Sequence, residues 1–333
     1  MLRLAYRLAS LAIMGLLAAC STPPAPAPVA APSQVSSTTT AAATSTPTPA
    51  TPAPTAQLTA TPATTPIAVM PGEPWLVYQY WDQEAHLRLI RPDGADMHLL
   101  LPDESREQWH PDWSPDGARI AFEMDGEIWV AAADGTDLRR LASCESPCRD
   151  LNQPAWSPDG RSLVVQLDRY LDTGNDTNRV TGSAVAVVDL TAKAPKPRRL
   201  TDWTMFAAYP DWDPTKDLIV FSTCDLGGRD GGSFADSSPP SDLYTVRSDG
   251  TGMTQLTHNP NGTQLTRNDT ASGPLSSQPT WSPDGRSIIF VQTVGTQWPG
   301  WTMATINADG TGLAPAAGSD FLRGTHPRLR PLP

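Results

Sequence analysis

Three features of the chain predict an all-β fold. The pentapeptide Trp-Ser-Pro-Asp-Gly stands complete at Trp113 to Gly117, Trp156 to Gly160 and Trp281 to Gly285, and a degenerate copy, Trp212-Asp213-Pro214-Thr215-Lys216, keeps the Trp and the Pro. Each copy feeds a short apolar run: Ile120-Ala121-Phe122, Leu163-Val164-Val165, Leu218-Ile219-Val220-Phe221 and Ile288-Ile289-Phe290. Farther on, alternating segments run into Asp134-Gly135, Asp249-Gly250 and Asp309-Gly310, and no long stretch after Pro74 has the 3.6-residue helical period. Asp-Gly between alternating strands signals a hairpin, because Gly accepts the positive φ that such turns require. Four strands per repeat, repeated along the chain, are the blades of a β-propeller.

Taken in order, the blades lie near residues 75 to 101, 109 to 142, 152 to 201, 208 to 257 and 278 to 315. In the later four, a Pro-containing segment ends in Trp, the pentapeptide turn leads into a strongly apolar strand, a third strand follows, and a fourth closes the repeat. The first blade keeps Trp75-Leu76-Val77-Tyr78 and Pro92-Asp93-Gly94 but lacks the opening Pro-x-Trp segment. His326-Pro327-Arg328-Leu329-Arg330-Pro331 has the shape of that missing innermost strand, so it is expected to complete the first blade and lock the ring. Closure of this kind leaves no long open sheet edge. The count is five blades within a propeller domain spanning 73 to 333; a sixth would have to lack a detectable motif.

These residues resemble the TolB-type WD-like β-propeller repeat over nearly all of Trp75 to Pro331. The resemblance implies radially stacked blades, and six of them would suit it better than five. TolB-like proteins carry an α/β domain before the propeller and are soluble in the periplasm. A Pro/Thr/Ala-rich stretch takes that place here, so the partner interactions of those proteins do not transfer to this chain.

The first nineteen residues have the layout of an export signal: Arg3 and Arg7, then the mostly apolar Leu8 to Leu17, then the small residues Ala18 and Ala19 before Cys20. Leu17-Ala18-Ala19-Cys20 resembles the bacterial lipobox, which implies cleavage before Cys20 and its acylation. An ordinary secretory signal with a chance Cys is the alternative. The apolar run falls short of the ~20 residues of a membrane span, whereas several acyl chains hold a protein stably at a membrane surface. Residues 20 to 72 are almost entirely Pro, Thr, Ala and Ser without a charge, a composition that cannot form a core and is expected to act as a disordered tether. The expected location is therefore the extracytoplasmic face of a bacterial membrane.

With 24 basic against 35 acidic side chains, the formal charge is −11. Nucleic-acid binders neutralise phosphates with a basic stripe, and no Lys/Arg cluster exceeds Lys196-Pro197-Arg198-Arg199, so nucleic-acid binding is excluded as a class. Beyond Cys20, the cysteines are Cys144, Cys148 and Cys224, an odd number for an oxidising compartment. Cys144 and Cys148 could close a small loop, or either could reach Cys224; sequence does not choose.

Ser and Asp adjacent in the pentapeptide invite a catalytic reading, but a residue set repeated from blade to blade is structural. Pro fixes φ, Asp bonds back to the turn, Gly takes the awkward torsion and Trp fills the gap between blades. There is no Gly-x-Ser-x-Gly elbow for a serine hydrolase, and the five histidines show no paired spacing for a metal. His110 and His326 both precede Pro at the start of inner strands and read as repeat positions. Two acids aimed into the funnel could still cleave a polysaccharide, as a hydrolase or lyase.

In a four-stranded meander the first and third connections share one face of the ring, and the second connection and blade-to-blade link share the other. The stereotyped turns all fall on the first face. The long irregular segments, Gln166 to Ser183, Ser222 to Asp242, His258 to Ser277, Thr293 to Gly300 and Ser143 to Asn152, fall on the second. Variable loops on a rigid scaffold are where binding resides. This loop-rich face collects Trp81, Trp203 and Trp298 with Asp168, Asp225, Arg229 and Arg267, a mixture suited to a glycan or protein of the cell envelope, unless the Trp residues pack beneath their loops. No cofactor is expected; Asn175-Asp176-Thr177-Asn178 could hold a cation such as calcium but matches no regular loop for it. The expected state is a monomeric, non-catalytic binding or scaffolding module. Replacement Cys20→Ser is expected to move the protein from the membrane to the soluble fraction; retention on membranes after fractionation would refute the anchor.

Overall fold

The computed structural model describes residues 73–81, 84–171, 179–223, 241–259, 276–293, 301–316 and 328–329. Five four-stranded antiparallel sheets form a five-bladed β-propeller. Blade 1 contains β1 (Leu76–Trp81), β2 (Ala85–Ile90) and β3 (His98–Leu99). Blade 2 contains β4 (Trp109–Trp113), β5 (Arg119–Met124), β6 (Glu127–Ala132) and β7 (Arg139–Ala142). Blade 3 contains β8 (Asp150–Trp156), β9 (Ser162–Leu171), β10 (Arg179–Asp189) and β11 (Pro197–Arg199). Blade 4 contains β12 (Ala207–Trp212), β13 (Ile219–Thr223), β14 (Leu243–Val246) and β15 (Thr254–Gln255). Blade 5 contains β16 (Ser276–Trp281), β17 (Ser287–Thr293), β18 (Trp301–Asn307) and β19 (Ala314–Pro315). The last strand, β20 (Arg328–Leu329), pairs with β1 and becomes the innermost strand of blade 1, the closure the sequence predicts.

The core lies in the seams between blades. Period-2 alternation sends neighbouring side chains of one strand to opposite seams. Ile120 and Phe122 pack with Trp75, Val77 and Leu87 of blade 1, whereas Ala121 between them packs with Trp156 and Leu163 of blade 3. The same scheme joins Val164 and Val185 to Trp212 and Phe221, and Val220 and Leu243 to Trp281 and Phe290. Each pentapeptide Trp fills its seam, and Arg119 and Lys216 stand over the Trp156 and Trp281 rings of the following blades at 4.9 and 5.4 Å.

The rest of each pentapeptide is consumed by its own turn. The Gly117 N–H donates to the Ser114 carbonyl at 2.8 Å and the Arg119 N–H to the Ser114 hydroxyl at 2.9 Å, with the same bonds in the turns at Ser157 and Ser282. Asp159 is held below the usual carboxylate range by the Ser157 hydroxyl and the Arg161 N–H. In the degenerate copy Asp213 takes the serine position, accepts from the Thr215 N–H at 2.8 Å and pairs with Lys216 at 3.0 Å. The Asp-Gly hairpins add a regular Asp-x-Thr clamp, Asp134 with Thr136, Asp249 with Thr251 and Asp309 with Thr311.

A meander blade leaves the N–H groups along its inner strand without partners in its own sheet. The preceding blade supplies them at three levels. Gln108, Leu151 and Ser276 donate to the carbonyls of Ala85, Gly126 and Ser241 at 2.8–3.0 Å. His110 and Tyr209 donate to the side-chain carbonyls of Gln79 and Gln166 at 3.5 and 3.3 Å. Trp156 and Trp281 donate to the carboxylates of Asp112 and Asp211 at 2.9 and 2.8 Å. Replacement Asp211→Ala strands the buried Trp281 N–H and is expected to lower stability by about 1–3 kcal/mol; an unchanged urea midpoint would show that the bond contributes nothing.

Candidate ligand-binding face

The inner strands are not regular. In β4, β8, β12 and β16 the register shifts between Trp109 and Asp112, Asn152 and Ala155, Ala208 and Asp211, and Ser277 and Thr280. Each shift is a bulge built on an X-Pro pair whose first residue is left-handed: His110, Gln153, Tyr209 and Gln278 have φ between 50 and 54°. A side chain before Pro rarely takes that conformation, and four non-glycine residues held there are a repeated local strain. These bulges sit at the loop-rich ends of the strands that ring the axis. The backbone is the same in all four, and the side chain differs in three of them.

The second strand of blades 1 to 4 brings a further polar position to the same end, Gln79, Glu123, Gln166 and Ser222, all buried, whereas blade 5 has Val291 there. Gln79 and Gln166 serve the bulges of the next blades, whereas Glu123, 1% exposed, shares a hydrogen bond with His110 Nδ1 at 3.0 Å within its own blade. Sequence reasoning identified His110 only as a repeat position; the alternation of Glu123 with apolar Phe122 and Met124 was the signal that it faces inward.

Blade 3 stands out. Its second and third strands are 10 and 11 residues long, against 4–7 for their counterparts in the other blades. The expected loop at Gln166 to Ser183 is therefore a raised hairpin, paired through Leu171 and from Arg179. Its base is fixed by Gly182, whose missing Cβ would lie 2.8 Å from both Arg169 Nε and the Trp203 carbonyl.

The predicted face residues divide accordingly. Trp81 ends β1 half-buried, its ring 5.6 Å from that of Trp109 in the next blade. Trp203 is not an exposed stacking platform: it is 8% exposed in a 3-10 turn (Trp203–Met205) between blades 3 and 4, with the guanidinium groups of Arg169 and Arg199 5.4 and 5.2 Å from its ring. Asp168 is fully buried on β9, where a strand replaces the expected loop, and accepts from Asn152, Gln166 and the Ser183 hydroxyl. Trp298, Asp225, Arg229, Arg267, Cys20, Cys224 and the 175–178 segment lie outside the described residues. Cys144 and Cys148 are joined in a disulfide that closes the link between blades 2 and 3.

Just beyond that disulfide the structure gathers three carboxylates. Asp150 lies opposite Asp168 in the β8–β9 ladder and faces Glu123 across the seam. Burial first, and then the charges of Glu123 and Asp168, push the Asp150 carboxyl up to about 7, against a smaller opposing effect of the Tyr170 hydroxyl and Arg149. Nothing in the spacing of these residues announced the cluster, since it is assembled across two blades. Among the described residues no group of His, Cys, Asp or Glu has metal-binding geometry, and no helix is long and apolar enough to cross a membrane.

Neither a protein-family model nor a curated protein sequence matches the chain. Solved structures do. TolB from Acinetobacter baumannii is 14% identical over 77% of this chain and 66% of its own, with a TM-score of 0.47. An oligogalacturonate lyase in complex with manganese is 14% identical over 72% and 61%, with a TM-score of 0.49. Hydrazine synthase of Kuenenia stuttgartiensis is 14% identical over 75% and 40%, with a TM-score of 0.52. These likenesses are of fold alone. The resemblance to TolB-type repeats holds at that level, and the chain spans less than two thirds of the length of each of these structures. Replacement Gly182→Ala is expected to push the Trp203 turn off the blade 3 hairpin and cost about 1–3 kcal/mol; a variant with unchanged melting and unchanged Trp fluorescence would contradict that packing.

Proposed function

We propose that the protein is an extracytoplasmic, lipid-anchored propeller that binds a protein or glycan of the cell envelope on its loop-rich face without turning it over. The observation that carries this reading is the contrast between the two faces. On one, the polar groups of the turns satisfy each other, Asp159 with Ser157 and Asp249 with Thr251 being examples. On the other, one strained backbone bulge presents His, Gln and Tyr in different blades beside the raised hairpin of blade 3 and the Trp81–Trp109 pair. Fixed backbone with varied side chains is what a recognition surface requires, and aromatic rings beside polar groups suit a sugar ring or a peptide. The lipid and the tether rest on the sequence of residues 1–72, which would hold such a face away from the membrane.

The rival reading is a hydrolase or lyase acting on envelope or extracellular polysaccharide. One observation favours it: an acid tuned to about 7, as Asp150 is, has the value that general acid or base catalysis needs at neutral pH. The two are separated on immobilised full-length protein challenged with envelope polysaccharide fragments and envelope extract. Trp81→Ala and Tyr209→Asn, the latter chosen because Asn tolerates the left-handed backbone, are expected to weaken retention at least tenfold, while Thr136→Ala on the opposite face leaves it unchanged. Equal retention by all three variants would sink the proposed face. Fragment shortening that disappears in Asp150→Asn would establish the rival instead.

A further inference from the structure

The link into blade 3 is tied down at the loop-rich face on either side of Asp150, once to blade 3 itself and once across the seam to blade 2. The Arg149 N–H donates to the Asp168 carbonyl at 2.9 Å, and the Leu151 N–H donates to the Gly126 carbonyl of blade 2 at 2.8 Å. Between these two bonds the Asp150 carboxyl is wedged against the Asp125-Gly126 turn so closely that a Cβ on Gly126 would lie 2.3 Å from Asp150 Oδ1. The surrounding charges do not favour an anion there. From β5 comes Glu123, engaged with His110 of β4; from β9 come Asp168, with three donors of its own, and the Tyr170 hydroxyl; Asp125 lies beside Arg106 at 3.8 Å; and Arg149 is the adjacent cation.

We propose that this seam is a proton-operated latch: a neutral Asp150 holds the 143–150 link down between blades 2 and 3, and its ionisation against Glu123 and Asp168 releases the link. The disulfide Cys144–Cys148 keeps the link compact, so that it lifts as one body, and Leu151, fully buried in this seam, marks where lifting stops. The latch does not depend on what the loop-rich face binds.

The direction follows from linkage. Asp150 has its carboxyl raised in the closed seam, from 3.8 to about 7, and regains the ordinary value when the link opens into water. Between those values the closed form binds the proton and the open form does not, so closure weakens as pH rises and levels off above about 7. The opening equilibrium should therefore grow roughly 100-fold between pH 5 and pH 8.

Hydrogen exchange of the full-length protein from pH 5 to pH 8, corrected for intrinsic exchange, tests this. Peptides covering 148–152 are expected to open roughly 100-fold more often at the higher pH, while those of β17 do not change. Asp150→Asn, a permanently neutral isostere, is expected to stay closed throughout. Glu123→Gln, which removes one of the facing charges, is expected to move the transition to higher pH only if it acts through something other than repulsion, and to lower pH if the latch is correct. A flat wild-type profile, or the same rise in Asp150→Asn, overturns the proposal. Should Asp150→Asn fail to fold, an unmoved or raised midpoint in Glu123→Gln overturns it as well.

Discussion

The inner edges of blades 2 to 5 depend on the preceding blade for hydrogen-bond partners. N–H groups along an inner edge need partners where the neighbouring blade packs against them. The preceding blade meets the need with a carbonyl, a glutamine amide or an aspartate at different heights, as in the bonds from Leu151, Tyr209 and Trp281 at three successive seams. The apolar seams pack beside these bonds. The same need also explains the bulges. Shifting the register at X-Pro turns the N–H of His110 or Tyr209 away from its own sheet and toward the neighbouring Gln.

Local chemistry is what the sequence displays well. The pentapeptide turns, the Asp-Gly hairpins and the closing strand at Arg328–Leu329 were legible because each is specified within a few residues. The bulges were half-legible: Pro111, Pro154, Pro210 and Pro279 mark them, but a left-handed residue before Pro runs against the usual preference and is imposed by the ring. The blade 3 hairpin was misread as a loop because Asp168, Arg169 and Asp172 break its apolar alternation. Two long-range partners, Asn152 and Ser183, 16 and 15 residues away, join the nearby Gln166 in making a buried Asp168 tolerable. Trp203 was misplaced for a similar reason, since two arginines cover a ring that composition alone suggests is exposed.

The chain uses the same side chain, aspartate, in two opposite ways, and the difference separates scaffold from chemistry. On the stereotyped face each aspartate meets donors from its own turn: Asp249 takes the hydroxyl and N–H of Thr251, and its carboxyl is held below the usual range. Such a group stays charged across the whole physiological range and contributes only rigidity. At the seam of blades 2 and 3, burial and the carboxylates of Glu123 and Asp168 hold the Asp150 carboxyl up, against the weaker pull of the Tyr170 hydroxyl and Arg149. A fold that satisfies its turns so locally can tolerate one cluster of like charges at a single seam. The place where acids face acids is also where the disulfide link, the raised hairpin and the His110 bulge converge, so chemical responsiveness and sequence variation share one face of an otherwise regular ring.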